Sequence, residues 1–195
     1  MMRIWEEFPG ENEIHAPEAA DLINANVELF GKGNKLRLGI PHMCSSLYVK
    51  ATGENTIEIG EGCVFLGQVF HLLAPGALSI GPRCGFNGTS VIHIHERARI
   101  TIGADCLFGP NVVISVSHVH KIIDVGTGDR INPAGDITIE DHVWLSSNVT
   151  VWGGAHISKD SVVGLGSYVS KRFPANCIIA GAPAKVIRTG TTWEF

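Results

Sequence analysis

Charge is scarce in this chain of 195 residues: Asp, Glu, Lys and Arg make up 17% of it, against a usual ~25%. Net charge is −4 and no basic run exceeds two residues, as in Lys171-Arg172, which argues against nucleic acid as a main partner. Long apolar runs are missing too. Nothing approaches the ~18 uninterrupted apolar residues of a membrane span, so no transmembrane segment is expected. Residues 1–8 carry two Glu and no apolar stretch, unlike a secretory signal, and the expected location is the cytoplasm, where disulfides are rare. The five cysteines (Cys44, Cys63, Cys84, Cys106, Cys177) show no CxxC pairing and no zinc-type spacing. A Gly-rich phosphate loop of the dinucleotide or P-loop type is also absent.

What is present favours strands and turns. Ile and Val together number 38 against 12 Leu, and Gly reaches 23. The placement of the aliphatic residues is periodic. Ile139, Leu145, Val151, Ile157, Val163 and Val169 fall at every sixth position, and four residues after each come Val143, Val149, Ala155, Ser161, Ser167 and Phe173. Neither a 3.6-residue helix nor a two-residue strand gives a strict period of six. A triangular parallel β-solenoid does, with three short sides and 18 residues per coil.

Upstream the phrase Ile-Gly-x-x-Cys recurs at Ile59–Cys63, Ile80–Cys84 and Ile102–Cys106. Its spacings of 21 and 22 residues correspond to one coil each with a few added loop residues. Cys63, Cys84 and Cys106 thus share one inward position on successive coils, a packing role for a small apolar side chain. Hexads are lost between about Val116 and Asp136, which predicts a loop ejected from the solenoid over 116–136. Residues 25–188 are expected to form the solenoid, with irregular early coils around Val27, Leu29, Leu36 and Leu38. Residues 1–24 show no repeat and read as an N-terminal extension or cap, with a helical turn over 17–23. Residues 189–195 read as a tail.

These hexads, followed by Ala180-Gly181-Ala182-Pro183-Ala184-Lys185-Val186-Ile187, resemble the hexapeptide-repeat acyltransferases. The order Ser117-His118, Asp124, Gly128, Arg130-Ile131-Asn132, Asp136-Ile137 and His142-Val143-Trp144-Leu145 is similar to the branch that O-acetylates bacterial surface polysaccharides, the capsular polysialic acid O-acetyltransferases above all. The resemblance implies an all-β fold, a left-handed parallel β-helix, with acetyl-CoA as cosubstrate and no metal. It implies a homotrimer with each active site between neighbouring chains, and a glycan or sugar hydroxyl as acceptor.

Acetyl transfer to a hydroxyl needs a base, a donor for the oxyanion and a channel for the thioester. His118 ends a hexad strand where the chain leaves for the loop, and it matches the family's base. Trp144, next to an inward Val143, should point outward, and the resemblance implies a place for it at the acetyl-transfer site. Ordinary interface packing is the plainer reading of Trp144. His93, His95 and His120 are candidates for lining the acceptor cleft, with packing or solvation as the alternative. Arg130 suits a carboxylate-bearing acceptor, or orders the loop. Some relatives carry an acid two residues before the base, where this chain has Val116, so Glu96 or a backbone carbonyl is expected to orient the imidazole instead.

For CoA, the resemblance implies Ser147, Leu165, Ser170, Lys171 and Arg188 along the pantetheine arm and 3′-phosphate end. Lys171, Lys185 and Arg188 suit a polyanion by charge. Other readings remain on the same fold: an N-acetyltransferase of an amino sugar nucleotide, a γ-type carbonic anhydrase using His118, His120 and His93 or His95, and a non-catalytic scaffold.

Overall fold

The computed structural model describes residues 2–17 and 24–195. The helical turn expected over 17–23 lies, apart from Pro17, outside the described residues. Short strands recur around three walls of a prism. In the order of one coil, the first wall carries Ser90–Ile94, Val112–Ser115, Thr150–Trp152 and Tyr168–Val169, each paired parallel with the next. The second wall is an 8-stranded parallel sheet running from Glu13–His15 to Arg172–Phe173. The third carries Gly85–Phe86, Leu107–Phe108, Trp144–Leu145, Val162–Val163 and Cys177–Ala180. Two long strands, Met43–Thr52 and Val64–Leu72, bend round a corner and join the first and third walls into one 14-stranded sheet.

The period of six is the inward pattern. Ile139, Leu145, Val151, Ile157, Val163 and Val169 are all fully buried, and so are Val143, Val149, Ala155, Ser161, Ser167 and Phe173. Each coil therefore places two inward side chains on every side. Aligned residues of successive coils then stack at strand spacing, ~4.8 Å. Phe65, Phe86 and Phe108 form such a column, with ring centroids 5.5 and 4.3 Å apart and nearly parallel planes in both pairs.

Cys63, Cys84 and Cys106 form the expected inward column and are buried. Each thiol donates to a carbonyl one coil on: Cys63 to Gly81 at 3.4 Å, Cys84 to Gly103 at 3.1 Å and Cys106 to Glu140 at 3.2 Å. The hydrogen bond with Cys106, aided by burial, pushes the Cys84 thiol up to about 12. The Cys84 thiol therefore stays protonated and serves as a donor. The glycine of the same phrase has a steric cause: a Cβ on Gly60 or Gly81 would lie 2.5 or 2.6 Å from backbone of the next coil.

One corner carries a charge ladder. Arg83, Asp105, His142 and Asp160 each adopt a positive φ between 55 and 59° and stand above one another. Arg83 grips Asp105 with two hydrogen bonds of 2.7 and 2.6 Å, and His142 Nδ1 lies 2.9 Å from Asp160. His142 is thereby a corner residue.

Both ends differ from what hexads alone announce. Within the stretch read as an extension without repeat, Arg3–Glu6 pairs parallel with Ala25–Phe30, and Glu13–His15 pairs with Lys35–Leu38. Backbone pairing makes this coil, and its strands carry no aliphatic residues at a spacing of six. Trp5 packs on Phe30 at 4.9 Å. At the other end Lys185–Thr189 turns back antiparallel on Cys177–Ala180, and a reversed strand of this kind blunts an edge open to further pairing.

The expected loop leaves after Val116, which is fully buried, and the chain returns where the Gly135 amide donates to the Val116 carbonyl at 3.0 Å. Gly153 of the next coil faces this exit, and a Cβ there would run into the Val116 carbonyl oxygen. We expect Gly153→Ala to lower stability by roughly 2 kcal/mol through overpacking, read as a melting temperature ~4–8 °C below wild type in calorimetry. An unchanged melting temperature would show that the loop base is not tightly packed.

Candidate active site

His118 stands just beyond the first-wall strand Val112–Ser115, at the mouth of the loop, and its side chain is exposed. One coil on, the first-wall strand ends at Trp152, the register partner of Ser115. The Trp152 indole packs on the imidazole with centroids 4.6 Å apart and a 44° tilt. Its Nε1–H donates to His118 Nδ1 at 3.0 Å. The contact of Trp152 with His118 spans 34 residues and depends on where the loop leaves.

The loop is held by its own polar side chains. Arg130 donates to both oxygens of Glu96, at 2.6 and 2.8 Å. The Arg130 guanidinium holds the Glu96 carboxyl down at about 2, so the pair remains ionised throughout the neutral range. Asn132 accepts from the Ile122 amide at 2.7 Å and donates to the His120 carbonyl at 2.9 Å. Asp124 accepts from the amides of Gly126 and Thr127. Glu96, one of the two groups expected from sequence to orient His118 (the other a backbone carbonyl), therefore does not do so. It is engaged by Arg130, and Arg130 spends its guanidinium on the loop.

His93 and His95 stack at 4.7 Å, and His93 stacks in turn on His71 at 5.5 Å. Burial, with the charges of His95 and His71, pushes His93 down to about 4, so it is neutral at pH 7. This column runs along the first wall toward His118, because His93 pairs in register with Ser115. His120 is exposed on the loop. Among the described residues no three His, Cys, Asp or Glu side chains converge in a way that could hold a metal ion.

Trp144 is elsewhere. It lies on the third wall between Leu107 and Val162, and its ring sits 6.0 Å from Trp193. Trp193 stacks on His142 at 4.4 Å and donates to its carbonyl at 2.8 Å. Ser147 and the exposed Leu165 occupy the turns from the third wall to the first. Arg188 and Lys185 are exposed on the terminal antiparallel strand. Ser170 and Lys171 are exposed at the first-to-second corner, the same corner as His118 and Trp152. A single chain thus brings His118, Trp152 and the His93–His95 pair to one edge of the prism, and leaves Trp144, Ser147, Leu165, Lys185 and Arg188 off that edge.

Comparison with known proteins gives the arrangement a context. No family model matches the chain. A polysialic acid O-acetyltransferase of Neisseria meningitidis is 33% identical over 147 residues, 74% of this chain and 68% of that protein. A galactoside O-acetyltransferase of Lactococcus lactis is 35% identical over 192 residues, 96% of this chain and 85% of that protein. A polysialic acid O-acetyltransferase of Escherichia coli is 33% identical over 100 residues, and there the match spans only 33% of that protein's length. Among solved structures, the polySia-specific acetyltransferase NeuO superposes with a TM-score of 0.84 at 26% identity, over 100% of this chain and 89% of that one. With identity of this order across most of two of these relatives, and with the same left-handed β-helix, the chain belongs to the hexapeptide-repeat acetyltransferase family.

Proposed function

We propose that this chain is an acetyl-CoA-dependent O-acetyltransferase acting on a hydroxyl of a bacterial surface polysaccharide or its sugar precursor. The observation that carries the reading is the exposed imidazole of His118 at the mouth of a loop pinned by the Arg130–Glu96 pair. His118 takes the proton of the acceptor hydroxyl as its oxygen attacks the thioester carbonyl. The tetrahedral adduct collapses, the C–S bond breaks, and the imidazolium returns the proton to the departing sulfur. No covalent enzyme intermediate is needed, because the fold can hold both substrates at one imidazole.

The donor residues fit a polyanionic cosubstrate. Lys171, Lys185 and Arg188 are exposed, and none makes a salt bridge among the described residues, the Lys171 ammonium lying 5.5 Å above the Phe173 ring. They are available for phosphate, and the exposed Leu165 offers apolar surface to a pantetheine arm.

A homotrimer completes the site. His118 and Trp144 stand on different walls of one chain, so a cleft holding both requires a second copy. The loop supports this, since Val119, Ile122, Ile123, Val125 and Ile131 all expose large apolar surface on it. An apolar patch of that extent usually marks an interface. The cytoplasm, where acetyl-CoA is supplied, is the compartment this reading requires. Among the described residues no helix is long and apolar enough to cross a membrane.

Three outcomes are expected. His118→Ala lowers turnover at least ~100-fold, the usual scale for losing a general base, with little change in acetyl-CoA affinity. Steady-state kinetics with thiol release as readout, over a panel of hydroxyl and amino sugars, checks this, and near-normal turnover would remove His118 from the mechanism. Acetyl-CoA raises the melting temperature, by linkage worth roughly 2.7 kcal/mol at 100-fold over Kd, and chelation of zinc leaves activity unchanged. The shift weakens in the double variant Lys171→Glu, Arg188→Glu and persists in His118→Ala. No shift with CoA, together with stoichiometric zinc and activity lost to chelator, would favour a carbonic anhydrase. Light scattering gives a trimer mass at micromolar concentration, and a monomer there would contradict the shared site.

A further inference from the structure

A neutral imidazole has one N–H and one lone pair, and an indole Nε1–H can only donate. The Trp152 Nε1–H meets His118 Nδ1 at 3.0 Å. Nδ1 must then supply the lone pair, and the proton of the neutral ring must sit on Nε2. Among the described residues nothing else hydrogen-bonds either ring nitrogen of His118: Val116 is apolar and fully buried, and Glu96 is bound through both oxygens to Arg130. In this chain the only lone pair of neutral His118 is already covered.

We infer that Trp152 is a positioning residue that latches His118: it fixes the Nε2–H tautomer and caps Nδ1, so that the acceptor hydroxyl must take the place of the indole before its proton can move. The inference rests on His118 being the base. With the hydroxyl seated at Nδ1, its proton passes to that nitrogen while its oxygen forms the C–O bond to the thioester carbonyl carbon. On collapse the C–S bond breaks and the proton leaves Nδ1 for the sulfur, and Nε2–H is unchanged throughout. The indole then returns to Nδ1. The exchange asks only the Trp152 side chain to turn, since the backbone after it is held, Gly153 against the Val116 carbonyl and Gly154 by its amide to the Asp136 carbonyl at 3.1 Å. Until an acceptor arrives, a capped base has nothing with which to deprotonate water, so the latch also protects the thioester from hydrolysis.

The test uses the full chain labelled with nitrogen-15 at histidine. Long-range proton–nitrogen correlation spectra at a pH where His118 is neutral, with its signals assigned by their loss in His118→Ala, report the tautomer directly. The wild type is expected to show a protonated Nε2 and a hydrogen-bonded, unprotonated Nδ1; a protonated Nδ1 would overturn the inference without any variant. Trp152→Phe keeps a flat ring and removes the donor. Its kcat/KM for the acceptor is expected to rise about two- to tenfold, the size of one neutral hydrogen bond no longer to be broken, with the KM for acetyl-CoA unchanged. A folded Trp152→Phe with unchanged or lower kcat/KM would sink the latch. Normal turnover in His118→Ala would instead sink the base reading, while the tautomer of the wild type still reports on the contact itself.

Discussion

The rest of this structure depends on one constraint: every strand must hydrogen-bond to its counterpart one coil above and one below. Successive coils then sit at strand spacing, and each residue is stacked on the equivalent residue of its neighbours. A side chain that suits one coil must suit the column. Phenylalanines answer it by stacking rings, cysteines by donating to the next carbonyl, and the glycine of Ile-Gly-x-x-Cys by having no Cβ to collide. The corner residues Arg83, Asp105, His142 and Asp160 answer it by pairing across coils along a line of left-handed backbone, Arg83 with Asp105 and His142 with Asp160. Opposite charges at this spacing, such as Arg83 and Asp105, support the stack.

The loop is the place where that constraint is released. Between Val116 and Gly135 the chain leaves the ladder, and its polar groups find partners within the loop or on its base. Freed from the columns, His118 can be exposed and can meet a residue from the coil above. The Arg130–Glu96 pair matters in this setting because its carboxylate comes from the preceding coil. It ties the loop to the rigid prism and so sets where the imidazole stands. Under the proposed function, chemistry would depend on irregular backbone mounted on a regular repeat, a common division between loops and scaffolds.

The three-sided cross-section has a second consequence. Aromatic residues at different phases of the repeat are delivered to different walls, however near they stand in sequence. Trp144 and Trp152 are eight residues apart in the chain, yet one joins a cluster with Trp193 on the third wall and the other packs on His118 at the first-wall edge.

The fold was legible in the hexads because solenoid geometry is local: period six states which side chains point inward, and the columns follow from the 18-residue coil. The stacked thiols follow from the same geometry. The first coil was not legible, since Arg3–Glu6 and Glu13–His15 are held by backbone pairing that carries no hexad. Nor were the partners around His118. Glu96 was a candidate to orient the imidazole and instead binds Arg130, while the Trp152 indole takes Nδ1. The sequence by itself determined which residues line up along the prism. Only the tertiary structure decided which of them touch at the loop mouth, because those contacts join residues 34 apart across the loop where the hexads are lost.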